Sequence, residues 1–175
     1  MTFKSLIAAT TLIAGTLAAT AAQAAQCVPQ REAEALVLNL GSTLVGSTAA
    51  TCSPTLPANA YLRRSVAPLT AKFAATSDAA WPLAREALRK IAGPDVSPML
   101  DSELARPMVT AMVAPMLAQQ INAQDCPAID RVLALLDPLP ARNTAALIVT
   151  IVEIAGRNRK AARPPFTLCP PGTPS

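Results

Sequence analysis

Histidine is absent from the 175-residue chain. Acid-base chemistry would therefore fall to carboxylates, lysines or a serine, and a zinc site would need four thiolates with no imidazole. Aromatic residues are scarce, with three Phe, one Trp and one Tyr, too few to stack the bases of a nucleic acid. Charge is sparse as well: 15 basic side chains against 11 acidic ones fall far short of the dense basic face that tracking a phosphate backbone requires. The six glycines form neither a phosphate-cradling loop nor a dinucleotide fingerprint. Gly-x-Ser-x-Gly and Ser-x-x-Lys are also missing. These absences weigh against nucleic-acid binding and most familiar enzyme classes, and no cofactor or metal is expected.

What is present begins with a leader. Lys4 and the amino terminus supply a short positive region, Leu6 to Ala22 an apolar core, and Ala22-Gln23-Ala24 a small-x-small cleavage pattern. Residues 1–24 read as a signal peptide, with a mature chain starting at Ala25. The competing reading, a membrane anchor, suits the length, but the centre is rich in Ala, Gly and Thr and no charge cluster follows it. No transmembrane anchor is expected after cleavage. Cys27 lacks the upstream pattern of a lipoprotein. The expected compartment is the periplasm or the exterior. Without Lys4 the 15 basic residues become 14, and the net charge is +3.

All four cysteines, Cys27, Cys52, Cys126 and Cys169, lie in the mature part, and an even number in an exported chain favours two disulfides. No Cys-x-x-Cys pair argues for metal. Of the three connectivities, the one closing the shortest loops joins Cys27 to Cys52 and Cys126 to Cys169, and that pairing is the expectation.

The mature chain reads as helices punctuated by proline, without sustained strand alternation, so the fold class is all-α: one compact multi-helix domain over residues 25–169, with residues 170–175 a flexible proline-rich tail. Pro29 opens a first helix, weakened by Gly41 and Gly46, and residues 47–58 read as a loop. Asn59 caps a second helix, which Pro68 kinks or breaks. Ser77 or Asp78 caps a third over 79–92, with Pro82 in its first turn, Gly93-Pro94 as its stop and Trp81, Ala84, Leu88 and Ile91 as its buried side. Further helices are expected over 97–105, 108–123 and 128–136, with Pro115 either bending the longest or starting a new one. The most apolar segment, 144–155, lies between Asn143 and Gly156; only Asn143, Ala146, Thr150, Glu153 and Arg157 form a polar stripe, which makes it the expected centre of the domain. Pro-Leu and Pro-Met pairs recur at intervals of 14, 16, 17 and 23 residues, which is no repeat period.

Three features bear on function. Arg157, Arg159, Lys160 and Arg163 form a basic cluster that could contact an anionic envelope component, although cations at a helix C-terminus are also favoured by its dipole. Met99, Met108, Met112 and Met116 could line an adaptable apolar groove, although methionine at helical spacing often belongs to a core. Glu153 interrupts an apolar helix, yet it precedes Arg157 by four residues, the spacing of an exposed ion pair. The expectation is an exported, non-catalytic helical protein that binds another protein or an envelope component. A carrier of an apolar small molecule, needing a cavity of roughly a few hundred Å³, and an enzyme built on carboxylates alone are the alternatives.

Overall fold

The computed structural model describes residues 27–157 and 166–170. The expected leader over 1–24 and, beyond Pro170, the expected tail lie outside them. Seven helices fill the described residues, which contain no strand, and they form one domain. The hub is α1, Gln30–Cys52, which Pro29 opens as expected. It runs past the expected loop start at Ser47 because Val45, Ala49 and Cys52 continue a buried helical face. The Thr48 and Thr51 hydroxyls donate to the carbonyls of Leu44 and Ser47, four residues back, at 2.7 and 3.0 Å. By length and composition α1 could cross a bilayer, but it is the helix that the others wrap.

After α2, Tyr61–Arg64, the chain breaks at Ser65 and begins α3, Val66–Ala92, which takes Pro68 into its first turn. The helix expected from residue 79 is the second half of α3, and Pro82 lies in its interior. Ser77 is no cap: it is buried where α3 crosses α1, and its carbonyl accepts a hydrogen bond from Asn39 Nδ2 at 3.2 Å. Gly93, at φ 85°, ends α3 as expected. The contacts Lys90 to Glu32, Ser77 to Asn39 and Phe73 to Gly41 rise along one helix as they fall along the other, so α3 runs antiparallel to α1. Trp81 is half-buried against the resulting core of Leu38, Val45, Leu69, Phe73 and a set of alanines.

The remaining helices are α4, Ser97–Leu100, α5, Ala105–Gln120, α6, Cys126–Leu136, and α7, Ala141–Arg157. Pro115 lies within an unbroken α5. Both α5 and α7 flank α1. The expected centre is thus a flank: α7 buries Ala141, Thr144, Ala145 and Val149, while Ile151 and Ile154 are 56% and 61% exposed. Its apolar circumference is wider than the side that its neighbours cover.

The cysteines form two disulfides, and the pairing corrects the one expected from loop length: Cys27 joins Cys169 and Cys52 joins Cys126. Cys27 and Cys52 stand at opposite ends of α1, and 25 residues at 1.5 Å per residue keep them about 35 Å apart, several times the reach of a disulfide. The outer bridge closes a clamp in which the Val28 N–H donates to the Thr167 carbonyl at 2.8 Å and the Cys169 N–H to the Val28 carbonyl at 3.0 Å. The inner bridge sits fully buried among Ala49, Leu56, Ala60 and Leu62.

Gly46, inside α1, has open space where a Cβ would point. Gly46→Ala is expected to stabilise the protein by about 0.5–1 kcal/mol through helix propensity and a stiffer unfolded chain. A urea unfolding curve whose midpoint does not rise would contradict this.

Candidate binding surfaces

Most charged groups inside the fold hold helices together. Glu32, whose side chain is 7% exposed, pairs with Lys90 at 2.6 Å. Asn39, Ser77, Asp78 and Arg106 link α1, α3 and the first turn of α5: Arg106 donates to Ser77 Oγ and to Asp78 Oδ1. Asp130 on α6 caps α2 from a distance, its carboxylate accepting from the N–H groups of Tyr61 at 3.2 Å and Leu62 at 2.7 Å. Lys72 donates to the carbonyls of Asp137 and Leu139 at 2.6 and 3.0 Å and so closes the end of α6. None of these partnerships has a periodic signature in sequence, because each joins residues 28 to 69 positions apart.

Tyr61 lies beside this junction. Burial raises its phenol above the ordinary 10.0, and the Asp137 and then the Asp130 carboxylates add to the shift. The hydroxyl is enclosed beside Asp137, and none of its neighbours meets hydrogen-bond geometry. An acid whose pKa is raised by folding keeps its proton in the native state while the unfolded chain loses it. Stability is therefore whole below about pH 10 and declines above it, by at most about 1.4 kcal/mol per pH unit from this group. Tyr61→Phe is expected to be near-neutral at pH 7 and to flatten the alkaline decline. Parallel alkaline slopes for the two proteins in denaturant titrations would refute this assignment.

The four methionines singled out in the sequence stand in water. Met108, Met112 and Met116 form an exposed row on α5, extended at its start by Leu104; Leu104, Met112 and Met116 are 67%, 62% and 64% exposed. Met99, on α4, is also exposed. The stretch from Pro107 to Gln124 contains no charged residue. Among the described side chains of α5 Ala105 alone is buried; the helix rests on α1 and keeps a wide apolar side in water. A second exposed stripe, Leu147, Ile151 and Ile154, runs along α7.

Of the basic cluster, Arg157 forms the expected ion pair with Glu153 on α7, and Arg159, Lys160 and Arg163 lie outside the described residues. Glu153 thus has a structural partner. Among the described residues no group of three or more acidic or cysteine side chains could hold a metal ion.

A cavity of about 190 Å³ lies between α1, α3 and the start of α7, lined by Arg31, Glu34, Ala35, Leu38, Thr76, Ala79, Ala80, Leu83 and Arg142. Sequence reasoning missed it. Its floor is made of alanines scattered over two helices, which look like ordinary core residues until the helices are paired.

Comparison of the chain with known protein families, with characterised proteins and with solved structures finds no match.

Proposed function

We propose that this is an exported, non-catalytic binding protein of the periplasm or exterior, and that the exposed apolar side of α5 engages another protein of the cell envelope. The observation that carries this reading is the charge-free stretch Pro107–Gln124, whose Met108, Met112 and Met116 stay in water on a disulfide-stapled scaffold. Methionine is unbranched and polarizable, so such a row adapts to a partner's shape. Contiguous apolar surface of roughly several hundred Å² on a soluble domain commonly marks an interaction site. Two disulfides suit an oxidising compartment, and the leader over residues 1–24 supplies a route to it. The basic cluster at Arg157, Arg159, Lys160 and Arg163 is a secondary contact in this reading, toward an anionic envelope component.

Photocrosslinking in intact envelopes tests the proposal. A benzophenone side chain at Met112 is expected to trap a discrete protein adduct, and the same group at exposed Asp95 is not. Met116→Glu in the same chain is expected to lower the adduct yield at least about five-fold, since a carboxylate must then lose its water to enter an apolar contact. Equal labelling from Met112 and Asp95, or no adduct from positions 108, 112 and 116, would overturn it.

A further inference from the structure

The cavity between α1, α3 and α7 is separate from the methionine row, and its chemistry is different. Arg31 and Arg142 both line it, and among the described residues neither side chain forms an ion pair or a hydrogen bond. Each arginine also occupies the first turn of its helix, the second residue of α1 and of α7. The helix dipole disfavours a cation there, so helix electrostatics do not account for either one. Glu34 is the one acid in the lining, and its carboxylate accepts a hydrogen bond from Gln30 at 3.0 Å. Two cations against one anion leave a net charge of +1 around the cavity.

Beneath the arginines the cavity is apolar. Ala35, Leu38 and Ala80 are buried and Ala79 and Leu83 stand at the edge. The space exists because alanine occupies positions 35, 79 and 80, where longer side chains would fill the groove between α1 and α3. Thr76 adds no free donor, since its hydroxyl donates to the Phe73 carbonyl at 2.9 Å. The cavity opens to solvent where Arg31, Ala79, Leu83 and Arg142 are exposed, and its volume of about 190 Å³ is comparable with the roughly 150 Å³ that holds a benzene ring in an enclosed, engineered apolar cavity.

From this combination we infer that the cavity binds a small monocarboxylate with an apolar body. The ligand's body lies against Ala35, Ala79 and Ala80, and its two carboxylate oxygens meet Arg31 and Arg142. Guanidinium groups match the planar fork of a carboxylate, and the net charge of +1 selects a single negative charge. An anion with several charged oxygens would find too few donors and would meet Glu34.

The test titrates the mature, disulfide-bonded protein with benzoate and follows amide shifts by NMR. Saturable changes are expected at Arg31, Ala35, Ala79, Ala80 and Arg142, with a dissociation constant of about 1 mM or tighter. Benzamide, which lacks the charge, and acetate, which lacks the body, are each expected to bind at least about five-fold more weakly. Arg142→Gln is expected to weaken benzoate by a similar factor. Ala79→Leu, a change at an exposed position, fills the cavity and is expected to abolish binding while the helical circular dichroism stays unchanged. Shifts that fail to saturate, or equal responses to benzoate, acetate and inorganic phosphate that survive Ala79→Leu, would overturn the inference in favour of loose ion pairing at the surface.

Discussion

Replacing Cys52 and Cys126 together by alanine will lower the free energy of unfolding by about 4 kcal/mol, the loop-closure value for a bridge of this span. The residues are 74 positions apart, and both are fully buried where the end of α1 meets α6 and Leu62. For a domain stabilised by roughly 5–15 kcal/mol, the variant will be marginal at physiological temperature. The outer bridge, Cys27 to Cys169, spans 142 residues, and loop entropy alone would make it the stronger by only about 0.6 kcal/mol. Its cysteines are half-exposed, however, and its removal leaves no enclosed cavity at the centre of a cluster. Alanine at both outer positions is therefore expected to cost less than alanine at both inner ones. Urea unfolding of the two double variants gives the comparison. A larger loss for the outer pair would mean that chain entropy outweighs packing in this protein. A non-reducing digest checks the connectivity itself, since a peptide linking Cys27 to Cys52 would contradict the fold.

A long first helix excludes a bridge from Cys27 to Cys52, but it leaves two pairings, and only the packing of α6 and of the chain near Cys169 decides between them. Loop length favoured joining Cys27 to Cys52, but Pro29 and the buried spacing of Leu38, Val45, Ala49 and Cys52 describe one long helix, and a long helix holds its ends apart. Gly41 and Gly46 hide the length of that helix, because each lowers its local propensity. Tertiary contact overrides a local propensity cost of about 1 kcal/mol at each glycine when the surrounding face is buried. Pro82 is a second case of local propensity overridden by packing. It read as a first-turn residue, yet the packing of Phe73, Ala80 and Ala84 against α1 carries α3 through it. The helix stop at Gly93 and the all-helical class were legible because each depends on local pattern alone.

The rank of the helices was not legible. Apolar content made residues 144–155 appear central, but centrality depends on how many neighbours a helix touches, and α1 meets α3, α5 and α7 with a less apolar sequence. Excess apolar surface on α7 and α5 faces water instead. The methionine row was found by its helical spacing, and the structure supplies what spacing could not: the row faces outward. The polar links from Asp130 to α2, from Lys72 to the end of α6 and from Arg106 to Ser77 were invisible, because helix pairing, which no local signal encodes, brings those residues together.

At Gly41 the α1 backbone lies close against Phe73 of α3. A Cβ there would clash with three carbons along one edge of the Phe73 ring, and Phe73 is buried in the core that holds Val45, Leu69 and Ala80. Gly41→Ala gains about 1 kcal/mol of helix propensity, but forcing the ring off its site costs more, typically 1–3 kcal/mol and here toward or beyond the upper end. A net loss of about 2 kcal/mol is expected for alanine. For Gly41→Val, whose branched side chain reaches further into the ring, the loss is expected to be about 3 kcal/mol or more. The two glycines of α1 thus respond in opposite senses to the same change, since Gly46 has space and Gly41 has none. A double-mutant cycle isolates the cause. Phe73→Leu alone will destabilise by opening a cavity, but it will restore part of the stability lost in Gly41→Ala, with a coupling of about 1 kcal/mol or more. Additive losses would mean that α1 and α3 separate to accept the methyl group, and that the close approach at Gly41 does not set the spacing of the core.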